Sequence, residues 1–227
     1  MKVESVYDGM ISLSAGQIAQ RDDRKQTQWT CAIAPFQLCR VPTTQALYLE
    51  VMQAAPARFP HPDAPVECVS WLDAVVFCNR LSLLLDLQPV YDLDPLSYTA
   101  HWHQQRNGFR LPTDAEWEYA CRAHSGEVQY GPLEQIAWYA HNSAERSHPV
   151  GLKVANDFGL HDMLGNVWEW CWDLYDAEVY GSYRVFRGGG WSDAPRGCLA
   201  SNRRRSHPTF CIEDLGFRLA RSLPQGA

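Results

Sequence analysis

Apolar positions along the chain recur in distinct rhythms, and each rhythm predicts its own element. After Thr44 the residues Leu47, Val51 and Met52 share one helical face, so Pro42-Thr43-Thr44 opens a first short helix. The run WLDAVVFCNRLSLLLD predicts a second helix ending near Asp86, before Pro89. Ser70 stands at its N-cap and Asp73 three residues on, a variant of the capping box. Thr113 and Glu116 form a T-x-x-E box that starts a third helix. Its apolar face is Ala115, Tyr119 and Ala120, with Trp117 set to one side. CAIAPFQL, from Cys31 to Leu38, predicts a short strand broken by Pro35, since proline cannot donate to a ladder. PARFPHPDAPV is an irregular connector. Residues 1–30 are polar and mixed, with QRDDRKQTQ expected as an exposed loop or hairpin tip.

Beyond residue 124 the helical rhythm fades. Short aromatic, glycine-bounded runs replace it: AWYAHNS, FGLHDMLGNVWEWCWDLY, YRVFRGGGW and GFRLARS. Trp168, Trp170 and Trp172 alternate, so they share one strand face and are expected to pack in the core. Gly188-Gly189-Gly190 permits positive φ or close backbone approach beside Trp191. Neither a repeat nor a linker divides residues 1–227, which predicts one α+β domain.

Composition sharpens this picture. Nine Trp, fifteen Gly and fourteen Pro in 227 residues point to a loop-rich fold pinned by aromatic anchors rather than a helical bundle. The net charge of −6 leaves no broad basic field for nucleic acid. The chain has no apolar run long enough for a membrane span. MKVESVYDGM has no hydrophobic leader region, so the chain as it stands is expected in the cytoplasm. The eight cysteines form no C-x-x-C pair and are expected mostly as buried thiols.

Four motifs occur in order: GFRLPTDAEWEYACRA (108–123), NDFGLHDMLGNVWEW (156–170), VFRGGGW (185–191) and LGFRLA (215–220). Together they resemble the formylglycine-generating-enzyme, or sulfatase-modifying-factor, family. APFQLCRVPTTQALYLEVM and APVECVSWLDAVVFCNRL fit its opening, so the resemblance covers residues 31–221. It implies a C-type lectin-like fold with few helices and short antiparallel strands. Arg110 and Glu116 are expected as a buried ion pair or as caps.

The resemblance also implies chemistry: a copper(I) site on a C-x4-C pair just after the glycine turn, oxidising a peptide cysteine to formylglycine. Soft thiolates select Cu(I). Here the first position is Asp193, and the second is Cys198. On an alternative register, three residues short, Cys198 is a scaffold thiol and both catalytic cysteines are absent. A carboxylate with one thiolate is a poor Cu(I) site, which argues against copper and leaves Cys198 as the catalytic candidate if the chain is an enzyme. The H-x3-H-x-E of the iron-dependent sulfoxide synthases is missing. His101 and His103 share a strand face but lack further zinc ligands, so they are expected as surface histidines.

The resemblance further implies a structural calcium at HDMLGNVWE. Asp162 and Glu169, with carbonyls near Gly165 and Val167, would supply its hard ligands. The competing reading has both carboxylates satisfying backbone amides and arginines.

The segment 191–214 carries the expected binding face: Trp191, Ser192, Asp193, Arg196, Asn202, Arg204, Ser206, His207, Thr209, Phe210 and Glu213. These sit between scaffold-like residues, as in the variable proteins diversified by retroelements, which the segment resembles. Arg203-Arg204-Arg205 is either a local positive patch or solvated surface with one scaffold arginine. The expected function is a module binding a protein or small molecule. The alternatives are a copper oxidase or divergent relative acting on a peptide cysteine, and a silent accessory domain.

Overall fold

The structure is a computed structural model that describes residues 2–22, 25–94 and 96–223. Each of the three expected helices begins at its expected cap. Thr44 caps α1 (Gln45–Met52), and its side chain accepts from the Leu47 amide. Ser70 and Asp73 form a reciprocal box on α2 (Trp71–Leu84), and Thr113 and Glu116 do so on α3 (Asp114–Arg122). The second helix stops two residues short of Asp86, which takes a positive φ of 55°. Past residue 124 the only α-helices among the described residues are α4 (Leu133–Ile136) and α5 (Ala177–Tyr180).

Short strands make up the rest. They are β1 (Met10–Leu13), β2 (Gly16–Asp22), β3 (Thr27–Ile33), β4 (Phe36–Cys39), β5 (Tyr91–Asp94), β6 (Thr99–Trp102), β7 (Phe109–Arg110), β8 (Trp168–Leu174), β9 (Arg184–Arg187), β10 (Arg203–Ser206), β11 (Leu215–Phe217) and β12 (Ala220–Ser222). One antiparallel sheet has the order β1-β4-β12-β7. A second has the order β10-β9-β8-β11, in which β11 lies parallel to β8. Strands β2 and β3 form a hairpin, as do β5 and β6. The chain breaks between β3 and β4 at Pro35, as expected. The N-terminal region is more ordered than its polarity suggests: QRDDRKQTQ lies at the ends of the β2–β3 hairpin, with residues 23 and 24 outside the described residues.

The LGFRLA motif crosses from one sheet to the other, because Leu215–Phe217 pairs with β8 and Ala220 already pairs with β4. Strand β8 separates two apolar clusters. Trp168 and Trp170 face one, each edge-on to Phe186 at 5.3 and 5.2 Å. Cys171 faces the other, with Trp117, Met163 and Leu164. Trp172 is half-buried and stacks on Tyr91.

Helix α3 is buried on more than one face, being packed against the β2–β3 hairpin and the β8–β9 sheet. Trp117 is fully buried, so its expected place beside the apolar face is corrected. The acids of α3 meet buried arginines. Glu116 binds Arg110 through two hydrogen bonds of 2.6 and 2.7 Å while also capping the helix. Asp114 and Glu118 hold Arg187 at 2.5 and 2.6 Å. Among the described residues no helix is long and apolar enough to cross a membrane. All eight cysteines are free thiols, five of them buried.

Candidate functional site

The glycine turn after β9 determines what comes next. Gly188 and Gly189 have φ of +102° and +83°, a region costly for side-chain-bearing residues. A Cβ on Gly189 would lie 2.8 Å from the Cys198 sulfur, and one on Gly190 would lie 2.6 Å from an Asp214 carboxylate oxygen. The missing side chains are therefore the space in which Cys198 and Asp214 sit.

Asp193 is committed to this scaffold. Its Oδ2 accepts from the Trp168 indole at 2.6 Å and from the Gly190 amide at 2.9 Å, and its Oδ1 accepts from Arg204 at 2.9 Å. Gly197 lacks a side chain where Asp193 lies. Cys198 is fully buried. Burial, with the nearby charge of Asp193 adding, pushes its thiol up to about 12, so it is protonated at neutral pH. The pair does not fit copper: both carboxylate oxygens are engaged, by three donors in all, and the sulfur is a neutral thiol packed under Gly189.

The calcium set meets the same difficulty at Glu169. Both of its oxygens accept from Arg218, at 2.8–3.2 Å, and Oε2 also accepts from the Trp117 indole at 2.7 Å. Asp162 is buried with φ +54°, and its Oδ2 accepts from the Gly151 amide at 2.7 Å. Burial raises its carboxyl, and its Oδ1 has no hydrogen-bond partner. Gly165 packs against the Trp138 backbone, and Val167 is buried. One carboxylate is thus held by a guanidinium, and the set of Asp162, Gly165, Val167 and Glu169 does not fit a calcium ion. Glu169 follows the reading in which the acids satisfy arginines, whereas Asp162 meets one amide and keeps Oδ1 without a partner.

The histidines of β6 follow their expected course. His103 pairs with Asp92 at 2.6 Å, with His101 beside it. Among the described residues no three or more His, Cys, Asp or Glu side chains are placed to hold a metal.

The expected binding face divides into anchors and displayed groups. Trp191 is a buried anchor whose indole donates to the Glu213 carbonyl at 2.9 Å. Asn202 donates to the Gly197 carbonyl. Ser192, Arg196, Arg204, Thr209 and Phe210 are exposed, and Ser206, His207 and Glu213 are half-exposed. Ser192 leans on Asp214 through a 2.6 Å hydrogen bond, and His207 shares one with Thr209. The arginine run is not a free positive patch. Arg203 pairs with Asp114 at 2.7 Å, Arg204 with Asp193, and Arg205 lies 3.8 Å over the Tyr180 ring.

Sequence reasoning missed two contributors. Trp168, expected as pure core, positions Asp193 through its indole. A cleft of about 360 Å³ lies between segments 58–61 and 146–149, next to Trp191 through an edge-on contact with Phe59 at 5.6 Å. No local signal announces it, because its walls come from a proline-rich connector and a distant loop.

Comparison with known proteins places this geometry among relatives. The chain is 29% identical to the chaperone protein LppX of Paenibacillus barcinonensis, over 84% of this chain and 81% of that one. It is 30% identical to the formylglycine-generating enzyme of Streptomyces coelicolor, over 70% of this chain and 53% of the enzyme, so it spans about half that relative's length. The solved structure of Treponema denticola variable protein 1 superposes with a TM-score of 0.84 at 30% identity, covering 93% of this chain and 94% of that one. Residues 1–223 match the sequence model of the sulfatase-modifying factor enzyme 1-like domain, and the chain belongs to that family.

Proposed function

We propose that this protein is a binding module whose contact surface is the face formed by residues 191–214. One observation carries the reading. At the two positions where the family's enzymes would need thiolates, Asp193 is locked by Trp168, Gly190 and Arg204, and Cys198 is a buried neutral thiol. What the same segment offers to solvent is a mixed set of side chains on a rigid frame: Ser192, Arg196, Thr209 and Phe210 between the anchors Trp191, Cys198, Pro208 and Leu215. Ordered loops that display adaptable polar groups beside an aromatic suit recognition. The resemblance to a protein named a variable protein supports a face of this kind. The resemblance to a protein named a chaperone favours a protein partner. Retroelement diversification of the face is a further part of the proposal, and a near-copy of its coding region beside a reverse transcriptase gene is the sign that would support it.

The test is photo-cross-linking from positions 192, 209 and 210 in the source cells. A single defined partner is expected, competed by the purified protein and not by a variant carrying Thr209→Arg and Phe210→Ser. Cross-links no more selective than those from exposed Leu152 would overturn the reading. The enzymatic alternative is tested separately, with Cu(I) and a cysteine-containing sulfatase-type peptide. A thiol-to-aldehyde mass loss abolished by Cys198→Ala would replace the binding-only reading.

A further inference from the structure

The cleft between segments 58–61 and 146–149 has an unusual lining for an acidic protein. Two arginines and two histidines line it, Arg58, His61, Arg146 and His148, and neither segment contributes a carboxylate. Ser147, between two of them, is 6% exposed, and its hydroxyl has no hydrogen-bond partner. A buried hydroxyl left without a partner is costly, so it marks a place where a ligand atom or water is wanted.

The lining groups have fixed roles. His148 stacks on Trp138 at 3.9 Å and spends its Nε2–H on the Ser143 carbonyl at 2.6 Å, so it forms a wall of the cleft and not a donor to it. His61 Nδ1 accepts from the Asp63 amide, which leaves its Nε2 as a donor. Arg146 is exposed, and among the described residues no carboxylate pairs with it. Two acids near Arg58 and Phe59 are already engaged, while Glu145 and Asp63 flank the two segments. Glu213 pairs with Arg58 at 2.6 Å, and Glu67 accepts from the Phe59 amide at 2.9 Å. Phe59 and the two prolines supply apolar walls, and about 360 Å³ lies at the small end of ligand-sized clefts.

We infer that this cleft binds a small oxyanion, a phosphate or carboxylate group, with the Arg146 guanidinium as its principal donor and the Ser147 hydroxyl, just beneath the cleft surface, as a lesser one. A planar guanidinium presents paired N–H groups that match either oxyanion, and a buried hydroxyl beside it adds direction. The site stands apart from the 191–214 reading. Its donors come from other segments, so its failure leaves that reading intact.

Isothermal titration of the full chain at low salt, with inorganic phosphate and with benzoate as separate probes, tests the inference. Saturable binding of at least one probe is expected, and the preferred probe tells which oxyanion source the cleft takes. Arg146→Gln should weaken it about tenfold or more, the loss of a charged hydrogen bond, and Ser147→Ala should weaken it less. Arg196→Gln, on the 191–214 face, should leave it unchanged. Arg146 is exposed, so its variant keeps the fold, and circular dichroism checks this. Absence of saturable binding by both probes would overturn the inference. So would an Arg146→Gln variant that binds like the wild type, or an Arg196→Gln variant that loses as much.

Discussion

Replacing Arg218 with methionine should unfold this protein far more readily than its single-residue scale suggests. The guanidinium is fully buried and makes three contacts of 2.8–3.2 Å to Glu169. It also donates to the Cys39 and His161 carbonyls at 2.9 and 2.8 Å. Methionine fills much of the volume and offers no donor. Glu169 would keep only the Trp117 indole, a buried charge without its counter-ion, at a cost of about 3–5 kcal/mol. Two carbonyls would lose charged donors, about 1 kcal/mol each. The total is about 5–7 kcal/mol, which lowers the melting temperature by roughly 10–25 °C for a chain of this size. Urea unfolding of wild type, Arg218→Met, Glu169→Met and the double variant measures it. Removing both charges leaves no unpaired ion, so the double variant should be more stable than the sum of the singles by at least about 2 kcal/mol. A loss below about 1 kcal/mol for Arg218→Met, or additive single effects, would refute the reasoning that Glu169 is held by Arg218 rather than by a metal.

Other outcomes follow from the same geometry. Calcium added after chelator treatment should give no binding heat and no melting shift at millimolar concentration; a clear shift would restore the metal reading at Asp162. Burial, with Asp114 beside it, pushes Asp173 up to about 6, above the unfolded value of about 3.9. The contribution of this group to stability is therefore full below pH 4 and declines as pH rises through 6, by at most about 3 kcal/mol. Asp173→Asn should gain on the wild type at pH 7.5 and not at pH 4, read from urea midpoints at both. Iodoacetamide at pH 8 should alkylate exposed Cys211 and spare Cys198, whose thiol is buried and held at about 12, as peptide mass mapping would show. Gly189→Ala should cost several kcal/mol through its positive φ and the sulfur at 2.8 Å, and adding Cys198→Ala should recover only part, because the Gly197 carbonyl also lies 3.0 Å away; full recovery would show that backbone strain is absent.

The helix starts were legible because capping is local. Ser70 with Asp73 and Thr113 with Glu116 satisfy amides within one turn, so four residues of sequence carry the information. Strand β2 was not legible, since its residues are mixed and its partner β3 supplies the ladder. The Arg110–Glu116 pair was visible as a choice between ion pair and cap, and the structure makes it both. Trp117 was misplaced because periodicity assumes one buried face, and α3 is packed on several. Segment 191–214 could be singled out from its sequence as the proposed face, but its division into anchors and displayed groups depends on which indole and which guanidinium reach it.

By itself, then, the sequence determined the capped helices, the glycine turn and the absence of a thiol pair at Asp193 and Cys198, because each is a property of neighbouring residues. It also made the loop-rich, aromatic-anchored fold recognisable through four ordered motifs. Tertiary structure alone decided which partner each buried charge takes. Glu169 meets Arg218, just past β11, and Asp193 meets Trp168 and Arg204. Those pairings join residues far apart in the chain, and spacing carries no record of them. A buried ion is stabilised only by what surrounds it in space, so the fate of each charge became readable only once the chain was folded.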